Sequence, residues 1–174
     1  MPVTFEGFPR AAPASSLKPG RWVVAADGLR PLLCLMTDVV EMDEPLVIAF
    51  DTPAVETIEV LAVPLSTLAE PLGTVEDEMV FAPGMLAGAP VLVAPVKRSL
   101  RNGVLVRLAS GDLGVVIHTR RSQEIAVVSL TTGEQAEAVD LVFERWSMKL
   151  RRGAAETLLG HFKPAGLFSD RRRV

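Results

Sequence analysis

The chain repeats itself. Offset by 83 residues, Ser16-Leu17-Lys18-Pro19-Gly20 falls on Ser99-Leu100-Arg101-Asn102-Gly103. The match runs on without a gap through Val23/Val106, Ala26/Ala109 and Gly28/Gly111, into the apolar runs Leu32-Leu33-Cys34 and Val115-Val116-Ile117. An internal period of this kind restricts the chain to two copies of one small unit. Units of about fifty to sixty residues sit near the lower limit for a self-sufficient core. They are therefore expected to pack on each other or on a partner. The composition agrees, with 49% hydrophobic residues and a mean hydropathy of +0.33. No apolar run is long enough for a helix to cross a bilayer.

Turn and strand signals divide the chain further. Residues 1–15, with Pro2, Pro9 and Pro13, read as an extended arm. Residues 16–68 form the first unit. It opens with the turn Leu17-Lys18-Pro19-Gly20 and carries strands at Trp22–Ala26, Arg30–Thr37, Leu46–Phe50 and Thr57–Val63. Residues 69–96 are a Pro-rich connector in which Glu78–Ala82 and Val91–Ala94 could each add an edge strand. Residues 97–152 are the second unit, with strands at Val104–Leu108, Gly114–Thr119, Glu124–Leu130 and Ala136–Val142. A last strand is expected where Val142, Glu144, Trp146, Met148 and Leu150 alternate with Phe143, Arg145, Ser147, Lys149 and Arg151. Residues 153–174 are expected to hold a short helix over Ala154–Phe162, from the spacing of Leu158, Leu159 and Phe162, and then a basic tail ending in Arg171-Arg172-Arg173.

Four or five short strands leave two exposed edges unless the sheet curls, and closure into a small barrel removes them. The expected fold is therefore all-β, two tandem small barrels from an internal duplication. Both units resemble SH3-like barrels, a class that includes KOW-type modules. Gly103-Val104-Leu105-Val106 followed by Ser110-Gly111-Asp112-Leu113-Gly114-Val115-Val116 is the most KOW-like stretch. That class spans many functions, so the resemblance implies a fold and no activity.

Charge separates the halves. Residues 1–96 carry 4 Lys+Arg against 13 Asp+Glu, while residues 97–174 carry 14 against 8. The net charges, −9 and +6, have opposite signs, and such asymmetry concerns partners rather than fold. The reversal is local: the first unit's loop holds Asp38, Glu41, Asp43 and Glu44, where the second has Arg120-Arg121-Ser122-Gln123. These acids form a candidate acidic docking surface. Arg120 and Arg121, with Arg145, Lys149 and Arg151, form a candidate basic one.

Catalytic signatures are missing from the sequence. Cys34 is the single cysteine and lies in an apolar run, so no internal disulfide can form. His118 and His161 have no second ligand at metal-binding spacing. There is neither a Gly-x-Ser-x-Gly elbow nor a phosphate-cradling Gly-Lys-Ser/Thr loop. The run Glu76-Asp77-Glu78 lacks the spaced oxygens of a calcium loop. No catalytic, cofactor or metal residue is assigned, and no cofactor is expected. The start, Met1-Pro2-Val3-Thr4-Phe5-Glu6, lacks the basic and apolar regions of a signal peptide, so a cytoplasmic location is expected.

The expectation is a non-catalytic structural or protein-interaction subunit of a larger assembly, such as a virus-like particle or another multi-subunit complex. Its partners would be other protein subunits, including itself head to tail. The alternative is a nucleic-acid-associated protein that holds phosphates through its basic second unit. A third arrangement spends the same charges inside one molecule, joining its two units.

Overall fold

The computed structural model describes residues 10–27, 30–54, 57–69, 72–84 and 100–163. They form an all-β fold of two packed sheets. The first half supplies β1 (Arg10–Ala12), a 3-10 turn (Ala14–Ser16), β2 (Trp22–Asp27), β3 (Arg30–Glu41), β4 (Glu44–Ala54) and β5 (Thr57–Pro64). A second 3-10 turn (Leu65–Thr67), β6 (Leu72–Thr74) and β7 (Glu78–Pro83) follow. The second half supplies β8 (Leu105–Leu108), β9 (Leu113–His118), β10 (Ile125–Ser129), β11 (Val139–Phe143), β12 (Trp146–Arg152) and β13 (Ala155–Phe162). The large sheet runs β1-β6-β2-β3-β4-β5-β13-β12-β7 and the small one β10-β9-β8-β11.

The two halves pair their strands alike. In each, a three-strand meander is flanked by a later strand returning to its first member: β6 onto β2, β11 onto β8. The opening turns match as well. Gly20 and Gly103 have φ of 84° and 83°, and each closes a turn in which Arg21 N–H reaches the Lys18 carbonyl and Val104 N–H the Arg101 carbonyl. A left-handed φ is open to glycine without the Cβ penalty. Trp22 pairs with Leu35 as Leu105 pairs with Val115. Trp22 and Leu105 stand 83 residues apart, whereas Leu35 and Val115 stand 80 apart. The period thus shortens by three between the first strand of each hairpin and the second.

Among the described residues, neither sheet closes into the barrel expected of each unit. Edges of the large sheet are instead occupied by strands from elsewhere in the chain: β13 lies parallel to β5 through His161 and Thr57, and β12 pairs with β7. The Glu78–Ala82 edge strand appears as β7, the outermost strand on that side. Residues 1–9, the Val91–Ala94 stretch and the Arg171-Arg172-Arg173 tail lie outside the described residues.

Two expectations need correction. The helix over 154–162 is a strand, β13, joined to β12 by the two-residue turn Gly153-Ala154, with Gly153 at φ 58°. A register shift pairs Lys149 with Leu158 but Met148 with Gly160, so Leu159 is a bulge residue. The bulge turns Leu159 inward out of alternation, and the resulting 158/159/162 spacing imitates a helix. The single last strand over 142–151 is in fact two. β11 ends at Phe143 in the small sheet and β12 starts at Trp146 in the large one, with exposed Glu144 and Arg145 at the crossing. Within β12 the alternation holds: Trp146 and Met148 are buried, while Lys149 and Arg151 form ion pairs at the surface.

Apolar side chains form three layers. The central one lies between the sheets, with Leu33, Leu35, Ile48 and Phe50 facing Leu105, Val115, Ile117 and Val128. Trp22, Phe50, Phe81, Trp146 and Phe162 form one linked ring cluster there, with successive centroids 5.2–6.3 Å apart. A second layer covers the far face of the large sheet through Val23, Cys34, Met36, Val47 and Leu72. The third covers the far face of the small sheet through Leu100, Val104, Val106, Val116 and Val127. Strands buried on both faces read as unbroken hydrophobic runs, which accounts for Leu32–Met36 and Val115–Ile117.

Candidate docking surfaces

The hairpin between β3 and β4 carries the acidic set, and the second half holds it closely. Glu41 keeps only 7% of its surface exposed. Its Oε1 accepts hydrogen bonds from the Ser122 N–H at 2.7 Å, the Arg121 N–H at 2.9 Å and the Ser122 hydroxyl at 3.0 Å. The Ser122 N–H above all holds this carboxyl below the usual range, against the opposing effect of burial. Asp38 Oδ1 accepts from the Gln135 N–H at 2.9 Å, and the Asp38 N–H reaches the Gly133 carbonyl at 3.0 Å. Glu44 lies 3.7 Å from the Arg121 guanidinium. Asp43 is exposed at the tip, where Met42 and Asp43 both take left-handed φ, 51° and 63°. Two such residues in succession form the mirror-image turn that suits a two-residue hairpin, here without glycine.

The basic set is divided. Arg120 and Arg121 sit on the β9–β10 loop against the acidic hairpin. Lys149 and Arg151 sit on β12, where Lys149 meets Glu156 at 3.3 Å and Arg151 meets Glu156 at 2.7 Å and Glu78 at 3.2 Å. Their neighbour Arg152 binds Asp77 at 2.8 Å. Arg151 holds the Glu156 carboxyl below its usual range, and Arg152 does the same for Asp77. Arg145 stands at the sheet crossing, its carbonyl accepting the Gly84 N–H at 2.8 Å. The basic set is therefore split between the two sheets, with Arg121 near Glu44 and Lys149 and Arg151 beside Glu156 and Glu78.

Several joints were not visible as such in the sequence. Asn102, the counterpart of Pro19, donates to the Val60 carbonyl at 2.8 Å and accepts the His118 N–H at 2.9 Å, tying β5 to β9. His118 Nε2 is 2.7 Å from the Leu100 carbonyl, so this ring belongs to the scaffold. Trp146 Nε1 donates to the Gly103 carbonyl at 2.9 Å inside the core. Gly133, φ 70°, packs on the Gly20 turn so closely that a methyl group would overlap the Gly20 nitrogen and the Met36 carbonyl oxygen. The turn Thr131-Thr132-Gly133-Glu134 was legible as a turn; its contact with residue 20 was not.

Burial pushes the Cys34 thiol up to about 12, so at neutral pH it is not a nucleophile. Among the described residues, no three His, Cys, Asp or Glu side chains are grouped as metal ligands. An open hollow lined by Ser16, Lys18, Gly20, Arg21, Thr74 and Thr131 has its Arg21 drawn away to Glu76 at 2.7 Å. Two large apolar side chains remain prominent at one place: Val40 is 59% and Met42 69% exposed, both on the acidic hairpin tip. Among the described residues no helix is long and apolar enough to cross a membrane. No family model, curated protein or solved structure matches the chain.

Proposed function

We propose that this chain is a non-catalytic structural or protein-interaction subunit of a larger assembly, built from two copies of one small β-meander unit. The equivalent pairings Trp22/Leu35 and Leu105/Val115, with the matched glycine turns, support the duplication. One observation carries the function. The charged loops that could have met across two molecules meet within one, around Glu41, while Val40 and Met42 are left projecting beside them. An exposed apolar pair on a hairpin anchored by a buried carboxylate is suited to insertion into a partner, since little further ordering is needed on binding. Docking then runs through this tip and through edge strands rather than through the acidic carboxylates themselves.

Against the nucleic-acid reading, Lys149 pairs with Glu156, Arg151 with Glu156 and Glu78, and Arg152 with Asp77. Size-exclusion chromatography with light scattering, recorded at protein and nucleic-acid wavelengths, separates the readings. A defined assembly free of nucleic acid, weakened by Met42→Lys, supports the subunit. Co-eluting nucleic acid released by salt overturns it.

A further inference from the structure

Near its turn the β12–β13 hairpin is flanked on the β12 side by β7, which pairs as far as Arg151, while the outer side of β13 has no such cover among the described residues. Among the described residues β13 pairs with β5 at His161 and Thr57 alone, and the four residues Ala155–Leu158, which come before that point, are exposed one after another. A run of exposed residues inside a strand means that both faces and the outer edge are open. Among the described residues this stretch has β12 on one side and no strand on the other.

Native edges are normally blunted by shortness, proline, lysine, bulges or a covering segment. The other edges here are treated in that way. β1 has three residues, β7 ends in Pro83, β11 carries a register shift at Asp140, and β10 is capped by the Val128–Gln135 bridge and the Ala136 N–H. β13 has its bulge at Leu159, and the stretch before it, Ala155–Leu158, contains neither proline nor lysine, while its one acid, Glu156, is already paired with Lys149 and Arg151.

We propose that Ala155–Leu158 is a self-association edge, pairing antiparallel with the same segment of a second copy about a two-fold axis at Thr157. This rests on reading the chain as an assembly subunit. The register follows from the hairpin. A two-residue turn makes Arg152 and Ala155 a hydrogen-bonded pair, and alternation along an antiparallel ladder leaves the N–H and C=O of Glu156 facing outward. Those groups meet Leu158 of the second copy, and Thr157 faces its own counterpart. The register places no acid opposite an acid. The paired segment lies before the Leu159 bulge and before His161, the residue at which β5 pairs with β13. Leu158, 41% exposed in the single chain, is covered next to Glu156 of the second copy. The interface is two-fold, so it closes at a dimer.

The test is light scattering over a concentration series on the full chain, with two variants. Leu158→Lys places a solvated charge on an exposed position of the edge and should shift the mass from twice 18.7 kDa to the single-chain value. Thr157→Cys brings two sulfurs together across a non-hydrogen-bonded pair, and oxidation with diamide should give a covalent dimer. Ser110→Cys, an exposed control in the second half, should not. An assembly that Leu158→Lys leaves intact, with no Thr157→Cys cross-link, overturns the edge and leaves the subunit reading standing. A monomer at every concentration also overturns the edge, and the subunit reading then depends on its own experiment.

Discussion

Glu41 Oε1 accepts the N–H of Ser122 at 2.7 Å, joining residues 81 apart in the chain and fastening the acidic hairpin of one half to the basic loop of the other. The contact uses backbone N–H groups more than it uses the arginines of that loop. A carboxylate accepting several such bonds is stabilised in its charged form, and here it stands two residues along the strand from Val39, a member of the core shared by both sheets.

Acid should loosen this joint. The carboxyls of Glu41, Asp77 and Glu156 are all lowered in the folded chain. Their contribution is therefore complete above the ordinary carboxylate range and is lost as pH falls through the lowered folded values. Thermal melts should show the midpoint falling steadily below about pH 4.5, since unfolded carboxyls bind protons there first. Glu41→Gln should lower the midpoint at pH 7 and flatten its fall in acid, whereas Asp43→Asn, at an exposed tip, should alter neither.

Gly133 and Gly111 separate crowding from backbone strain. Both have positive φ, 70° and 92°, but a methyl at 133 overlaps the Gly20 turn while one at 111 meets nothing within 4 Å. Gly111→Ala should cost about 1–2 kcal/mol, the penalty of a side chain in left-handed backbone. Gly133→Ala should cost more than 3 kcal/mol or abolish folding, since backbone on both sides has to move. Urea denaturation curves of the two variants measure the difference.

Trp146 is a core ring with a buried donor. Trp146→Phe keeps most of the apolar contact but leaves the Gly103 carbonyl without the indole N–H, a loss of about 1–3 kcal/mol. Trp146→Ala also opens a cavity beside Phe162 and Phe81 and should cost about 3–5 kcal/mol. Chemical denaturation checks both values. Near-ultraviolet dichroism should retain a signal from Trp22 in the Phe variant.

Cys34 should resist thiol reagents in the native chain. It is fully buried, its thiol is pushed up to about 12, and its Sγ lies 3.7 Å from the Leu32 carbonyl. Its labelling rate at pH 8 should follow global unfolding and rise with urea. Fast labelling in buffer would mean that the layer around Val23, Met36 and Leu72 opens by itself.

Strand content, the opening turns and the position of β7 were legible because they depend on local signals: alternation, turn chemistry and proline. Gly20 and Gly103 hold the conformation that only their own side-chain type takes freely, so sequence alone was enough to place them. Strand partners were not legible, because they depend on what lies across space. Nothing within Ala154–Phe162 reports that β12 lies beside it, and the bulge at Leu159 disguises the strand's period. The docking residues divided along the same line. The sequence identified Glu41 and Arg121 as opposed charges, but the decisive bonds come from main-chain N–H groups, which have no letter of their own.

The arrangement of β12 and β13 also sets a schedule. The large sheet gathers six strands from the first 74 residues, yet its other end waits for β12 to meet β7 and for His161 to reach Thr57, 104 positions earlier. During synthesis β5 therefore emerges long before its neighbour exists, exposing apolar surface meant for the shared core. Non-local pairing of this kind slows folding and prolongs exposure to aggregation. A nascent chain halted before residue 146 already carries every strand of the small sheet, while the large sheet still lacks β12 and β13, and it is the older half that waits.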